Sequence, residues 1–395
     1  MTKTTGARPK TLVIHIGDHK TGTTTIQNAL AADCVRIAGA KLLYPAKLNH
    51  NYLMGHITAD KRGEPAPQAK PGQLGLAALS ERIRNAAADY VVLSAEVFEN
   101  VPAPRFKELV EQYFSSSADR IRIVAYVRPH AQRILSSYAE QIKIGWFRGS
   151  MQDFFEHNWE SKRFHFASRF HKWSECFGED FVLRPMIRKE LESESVLADF
   201  AHVAFDGLPY EVDNFPSENQ SLGLRELALL NFLQEQYQDK PKWLRHTLGW
   251  EIARRIGTLA QPGAVKPMKL AMDRALADRI ALSYEMDARA VDDRFFDERP
   301  LLQEALVDMQ GRAVSAPQSL AASDYFDDEQ LRNLTILTEL IHDMLDVKHP
   351  WPAYFHRHRI EDVRRFKARK TRSASLATDP VPADTGAGRT GSEKD

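Results

Sequence analysis

The chain has 395 residues, 43% of them hydrophobic, with 53 basic and 53 acidic side chains. This length accommodates one large α/β domain with helical additions, or two ordinary domains. The balanced charge excludes a chain-wide electrostatic footprint for nucleic acid and leaves only a local basic patch as an option.

Only two cysteines are present, Cys34 and Cys176. They form no CxxC zinc pair and no disulfide framework, and both read as core thiols. Residues 1–10 are polar and expected to fray. They carry no apolar signal core, and no run reaches membrane-spanning length. The expectation is a soluble, cytoplasmic protein.

In chain order, Thr11–Ile16 is a short β-branched run that predicts a buried strand. It leads through Gly17–Gly22 into a helical pattern carrying Ile26, Leu30 and Ala31. Leu42–Tyr44 predicts a weak second strand, stopped by Pro45. Residues 60–73 are punctuated by Pro and Gly and predict a loop. Leu76–Ala88 has helical spacing, Tyr90–Ser94 reads as a strand, and a helix is expected around Phe106–Phe114. Ile121–Val127 is a third strong strand, after which Pro129 can start a helix bearing Ile134, Leu135, Tyr138 and Ile142. An aromatic helix over Phe164–Phe177 precedes a further strand at Phe181–Met186. Strands alternating with helices predict an α/β fold with a three-layer, mostly parallel sheet. Past residue 220 the pattern is helical: Leu222–Tyr237, Leu244–Leu259, Leu270–Ala290 and Asp328–Leu345. The expected organisation is a core over 11–222, a boundary near the NFPSENQSLG segment, and a helical extension or lid over 223–350. A disordered tail is expected over 373–395.

The strand–loop–helix at IHIGDHKTGTTTIQ, residues 14–27, has the features of a phosphate cradle. A helix start offers free N–H groups and a partial positive charge. Gly17 and Gly22 allow close backbone approach. Thr23, Thr24 and Thr25 offer hydroxyls at the first turn, and Lys20 a cation. A nucleoside-triphosphatase loop places Lys directly after its second Gly. Here Thr23 holds that position and Lys20 stands two residues before Gly22, so the loop does not follow the ATP–magnesium pattern. A second element lies in IRIVAYVRPHAQRILSSY, residues 121–138. Arg128 stands just past a strand and Ser136 eight residues later. In a parallel sheet both loops emerge on one edge, where an arginine fork and a hydroxyl can hold a second phosphate.

Together the two segments resemble the sulfotransferase family that uses 3′-phosphoadenosine 5′-phosphosulfate (PAPS), in its bacterial form on a P-loop NTPase-like fold. By that resemblance the run Lys20-Thr21-Gly22-Thr23-Thr24-Thr25 would hold the 5′-phosphosulfate, and Arg128 with Ser136 the 3′-phosphate. Phe170–Leu183 looks like the family's aromatic helix, turn and strand, and Asn219-Gln220-Ser221 resembles its Asn-x-Ser element. The resemblance spans roughly residues 11–222. Thr25 stands where an adenine-stacking aromatic is usual, and there is no clear Arg-Lys-Gly element. PAPS would serve as co-substrate without a metal, and the acceptor would be a hydroxyl, with a carbohydrate or glycolipid as the guess.

Sulfuryl transfer requires stabilisation of the leaving phosphate, assigned to Lys20, and a base for the acceptor hydroxyl. His50 is the first candidate, with Glu96 and His56 as competitors. His15 reads as a core residue; His19 reads either as a phosphate contact or as loop surface. The run 357–372 holds eight Lys or Arg residues. It reads as a solvated helix and tail, or as a contact for an anionic surface. The rival functions are a P-loop small-molecule kinase and a non-catalytic nucleotide-binding protein.

Overall fold

The computed structural model describes residues 8–65, 67–68, 70–213, 222–259, 267–346 and 351–377. The elements follow from where β-branched runs and helical spacing occur. They are β1 (Thr11–His15), α1 (Thr23–Ala31), β2 (Val35–Ile37), β3 (Leu42–Leu43), α2 (Leu53–Arg62), α3 (Leu76–Asn85), β4 (Tyr90–Ser94), α4 (Ala103–Tyr113) and β5 (Arg120–Val127). Then come α5 (His130–Lys143), α6 (Met151–Glu160), α7 (Ala167–Phe177), β6 (Phe181–Pro185), α8 (Val196–Ala204) and β7 (Tyr210–Val212). The remainder is helical: α9 (Leu224–Gln236), α10 (Lys242–Leu259), α11 (Arg274–Phe295), α12 (Leu301–Gly311), α13 (Asp328–Asp346) and α14 (Trp351–Ala377).

Five strands form a wholly parallel sheet in the order β3-β4-β1-β5-β6. Each residue of β1 and β4 is buried, as a strand covered on both faces requires. Alternation then sorts the core. Leu12, Ile14, Val91, Leu93, Ile123 and Ala125 face one layer, which holds α3, α4, α5 and α7. Val13, Tyr90, Val92, Val124 and Tyr126 face the other, which holds α1 and α8. The result is the expected three-layer α/β architecture.

From β1 the chain leaves for β3, two places to one side; from β5 it leaves for β6, on the other side. Opposite exits open a crevice at the carboxyl ends of β1 and β5. The loops holding Lys20 and Arg128 lie there.

The helical part shares the main core. Leu276, Ile280, Tyr284, Ala288 and Val291 of α11 and Leu302 and Leu306 of α12 join the cluster beneath α5 and α7. Asp287 of α11 binds His130 Nε2 at 2.8 Å and accepts the backbone N–H groups of Phe166 and Ala167 at 2.8 and 3.2 Å. One carboxylate therefore ties α11 to the first turns of α5 and α7. The second end of α5 is held by α10, where a Cβ on Gly249 would lie 2.1 Å from the Lys143 carbonyl oxygen.

Several elements differ from the sequence reading. The antiparallel pair β2–β7 was not foreseen, being only three residues a side. Helix α2 reaches Arg62, into the expected 60–73 loop, and α6 and α12 were not anticipated. Helix α14 continues through 373–377, so these five residues are helical rather than tail. The Asn219–Ser221 element, the proposed boundary and residues 378–395 lie outside the described residues. Among the described residues no helix is long and apolar enough to cross a membrane.

The Gly249 contact gives a direct stability prediction. Gly249→Ala forces α10 away from α5 and should cost about 1–3 kcal/mol. Urea unfolding measures this; an unchanged midpoint would show that the helices do not meet as described.

Candidate functional site

The loop after β1 bends at three left-handed positions, Gly17 (φ 23°), Lys20 (φ 70°) and Gly22 (φ 81°). A Cβ at Gly17 would meet Thr23 Oγ1 at 2.9 Å, and one at Gly22 would meet Val196 of α8 at 3.0 Å. Lys20 adopts this region without a glycine's freedom, at a cost of about 1–2 kcal/mol. Strain of this kind persists where surrounding contacts over-determine it. Here those contacts are visible. Thr21 is fully buried and its hydroxyl donates to the Asp18 carbonyl at 2.6 Å. Arg128 Nη1 donates to the Lys20 carbonyl at 2.9 Å. Thr23 is buried beside Thr21, whereas Thr24 and Thr25 are partly exposed on the first turn of α1. No side chain caps that helix start.

The structure thus joins the Lys20 loop to Arg128. It does not join Ser136 to Arg128: the Ser136 hydroxyl donates to the Arg133 carbonyl at 3.1 Å, within its own helix. Arg128 keeps a buried Nε with no hydrogen-bond partner among the described residues. Burial, then the neighbouring Arg133, lowers the pKa of its guanidinium. An orphaned donor beside an uncapped helix start fits an anionic ligand.

The Lys20 ammonium is paired with Glu140 of α5, which also binds Lys143 at 2.7 Å. Burial alone would raise Glu140, but Lys20 and Lys143 outweigh it and hold the carboxyl at about 2. Burial drives Lys143 the other way, down to about 8, against the pull of Glu140. Trp250 of α10 covers this group: Lys143 Nζ lies 3.6 Å and Lys20 Nζ 5.7 Å from its ring centroid. Arg359 of α14 lies 5.7 Å from the same ring.

Behind the loop is a buried charge network that sequence reasoning missed. Asp18 accepts from Arg133 and Arg169, each at 3.0 Å. Glu99 contacts Arg163 and lies 3.9 Å from Arg133 and 3.8 Å from Arg169. His19 Nδ1 lies 2.6 Å from Glu99 Oε1, and the His19 backbone N–H donates to Oε2 at 3.1 Å. Burial raises both carboxyls in principle. At Glu99 its neighbours win and hold it well below the usual carboxylate range; at Asp18 burial wins. Burial pulls His19 down, but Glu99 outweighs it and the net direction is up. These partners are scattered over five separate segments of the chain, so no local spacing announced them. A small cavity lined by Gly17, Asp18, Glu99, Arg169 and Trp173 adjoins the network.

The remaining candidates are placed as follows. His50 is fully buried, and its Nδ1 accepts the Ser94 N–H at 3.1 Å. The ring is therefore neutral with its proton on Nε2, and burial pushes its pKa down to about 3. His15 is also fully buried, paired with Ser94 Oγ at 2.9 Å, and pushed by burial to about 3. His56 is buried with its pKa lowered by burial. Glu96 is partly buried, its backbone N–H held by Asn51 at 3.0 Å. Cys34 is buried and Cys176 partly so. In the basic run, Lys370 donates to the Asp33 carbonyl at 2.8 Å and pairs with Asp213, and Val363 is buried against the α1–α8 layer. This part of α14 is docked on the core.

No protein-family model matches the chain, and no curated protein does. Among solved structures, a sulfotransferase from Alicyclobacillus acidocaldarius is similar at 10% identity and a TM-score of 0.37, over 74% of this chain and 97% of that one.

The buried histidines set a pH dependence. His15 and His50 stand at about 3 in the folded chain against 6.5 in the unfolded one. Below 6.5 the unfolded chain takes up protons that the folded chain refuses, so stability falls as pH falls towards 3. Each histidine contributes about 1.4 kcal/mol per pH unit across that window. His19 has the opposite sign: its contribution is present below 6.5 and fades as pH rises through its higher folded value. Urea unfolding between about pH 6 and pH 4.5 should show the steep slope, and His50→Asn should remove roughly one histidine's share. An equal slope in that variant would mean that His50 is not held neutral.

Proposed function

We propose that the chain is a sulfotransferase that moves a sulfuryl group from PAPS to an acceptor hydroxyl, on a saccharide or glycolipid. The observation that carries this reading is the Arg128 guanidinium bonded to the Lys20 carbonyl at the β1–β5 crevice, with its Nε unpartnered among the described residues. Two cationic anchors held at a fixed separation suit a nucleotide with phosphate at two ends. On this reading Lys20, Thr21, Gly22, Thr23, Thr24 and Thr25 take the 5′-phosphosulfate, and Arg128 takes the 3′-phosphate. Ser136 joins Arg128 if its hydroxyl turns from the Arg133 carbonyl.

The acidic groups near the loop support a donor that needs no metal. Asp18, Glu99 and Glu140 are each engaged by arginine or lysine, whereas a magnesium-dependent kinase presents a carboxylate to its ion. In the transfer, Lys20 leaves Glu140 and stabilises charge on the leaving phosphate oxygen. His50 is the first candidate at the β4 end, but with its Nδ1 taken by the Ser94 N–H it has only an Nε2–H to donate, so it would orient an acceptor oxygen rather than take its proton; Glu96 lies two residues beyond Ser94.

Thermal shift with adenosine 3′,5′-bisphosphate, ATP and ATP–magnesium tests the donor class. Stabilisation by the bisphosphate without magnesium is expected, with Arg128→Ala weakening it by about tenfold or more, the size of one charge-assisted bond. Stabilisation by ATP–magnesium alone would replace this reading with the kinase. Binding of the bisphosphate with no transfer from labelled PAPS to any saccharide would replace it with the non-catalytic binding protein.

A further inference from the structure

We propose that His19, oriented by Glu99, is the general base that takes the proton from the acceptor hydroxyl. This rests on the sulfotransferase reading above and adds to it a residue inside the phosphate loop itself.

The geometry argues from proton bookkeeping. Glu99 is ringed by cations: Arg163 contacts it, and Arg133 and Arg169 lie within 3.9 and 3.8 Å. It is ionised and has no proton to give. His19 Nδ1 and Glu99 Oε1 approach to 2.6 Å without an aligned N–H···O bond; a bare nitrogen lone pair that close to a carboxylate oxygen is repelled, so the proton sits on Nδ1. In the neutral ring the lone pair is left on Nε2. That atom has no hydrogen bond among the described residues, and the side chain is 38% exposed. A nitrogen with a free lone pair, fixed by a buried carboxylate behind it, is the arrangement a general base needs. The second contact, from the His19 backbone N–H to Glu99 Oε2, fixes the residue from both sides.

His50 is the contrasting case. Its Nδ1 is occupied by the Ser94 N–H, so its proton lies on Nε2 and that atom has no lone pair to offer. The ring is also fully buried. His19 sits beside Lys20, which is assigned to the leaving group, so base and leaving-group cation are neighbours in sequence.

The step balances. The acceptor O–H bond breaks and its proton passes to His19 Nε2. The acceptor oxygen forms a bond to sulfur as the bond from sulfur to the bridging phosphate oxygen breaks. The electron pair goes to that oxygen, and adenosine 3′,5′-bisphosphate leaves. The groups that set the ionisation of His19 are Glu99 and Glu96 from the segment after β4, which favour the charged ring, and Arg133 of α5, which opposes it. Arg163 and Arg169 act on it through Glu99.

Ring-nitrogen NMR of the full chain tests the dyad without any ligand, the His19 signals being those lost in His19→Asn. The neutral ring should carry its proton on Nδ1, and its titration should lie above 6.5. It should move down in Glu99→Gln and up in Arg163→Ala, where Glu99 loses a competing cation. Arg163→Ala decides the point if Glu99→Gln does not fold. Release of adenosine 3′,5′-bisphosphate from PAPS, with phenol as the probe acceptor, supplies the kinetic arm. His19→Asn should lower kcat by about 10²-fold or more while binding of adenosine 3′,5′-bisphosphate stays within a few fold. The acid limb of kcat/KM should follow the NMR titration in each variant. A neutral ring protonated on Nε2, a titration indifferent to Glu99 and Arg163, or a kcat within threefold of wild type in His19→Asn would overturn the proposal. Absence of any stabilisation by adenosine 3′,5′-bisphosphate would instead count against the donor reading, and the NMR result would still decide the dyad.

Discussion

The hydrogen bond from Arg128 to the Lys20 carbonyl fixes the distance between two strand ends that are far apart in sequence. Much of the surrounding architecture holds those two ends in place. The parallel register of β1 and β5 brings the loops to one edge. Asp287 anchors the first turn of α5, immediately after Arg128 and Pro129. Gly249 lets α10 lie against the far end of the same helix, which sets Trp250 over Lys143 and Lys20. The helical part of the chain therefore reaches the crevice through α5 rather than through a separate contact.

Charge burial is the second organising constraint. Five arginine or lysine side chains (Lys20, Arg133, Lys143, Arg163 and Arg169) pair with three carboxylates within or beside the loop, and each carboxylate is shared between cations. A buried ion that loses one partner is costly, because the other charge remains desolvated. Sharing reduces that risk: Asp18 has two arginines and Glu140 two lysines. The same sharing keeps the loop rigid while leaving Lys20 partly accessible at 26% side-chain exposure.

The sheet was legible in the sequence because its strands are buried on both faces. Thr11–His15, Tyr90–Ser94 and Arg120–Val127 each stand out as an apolar, β-rich run between polar punctuation. The Gly17–Gly22 loop stood out as a candidate because its glycines, lysine and threonines are contiguous. What stayed hidden depends on distance. Asp18 and Arg169 are 151 residues apart, and His19 and Glu99 are 80 apart; nothing local marks such a pairing. The pair β2–β7 escaped notice because three residues show no reliable alternation. For the run 357–372 the charge suggested a solvated helix and tail, and what escaped is that Val363 and Lys370 dock α14 on α1 and its neighbours.

Glu140 gives the crevice one further property. Its carboxylate already occupies the Lys20 ammonium, so the free protein carries its own internal counter-ion. On the proposed reading, ligand entry is an ion exchange rather than an addition. A singly charged anion would gain no more from Lys20 than Glu140 already supplies. A ligand with several negative charges engages Arg128 and the helix start as well, and displaces the carboxylate. Selectivity for polyanions is then a property of the resting loop, set before any base or sugar is recognised.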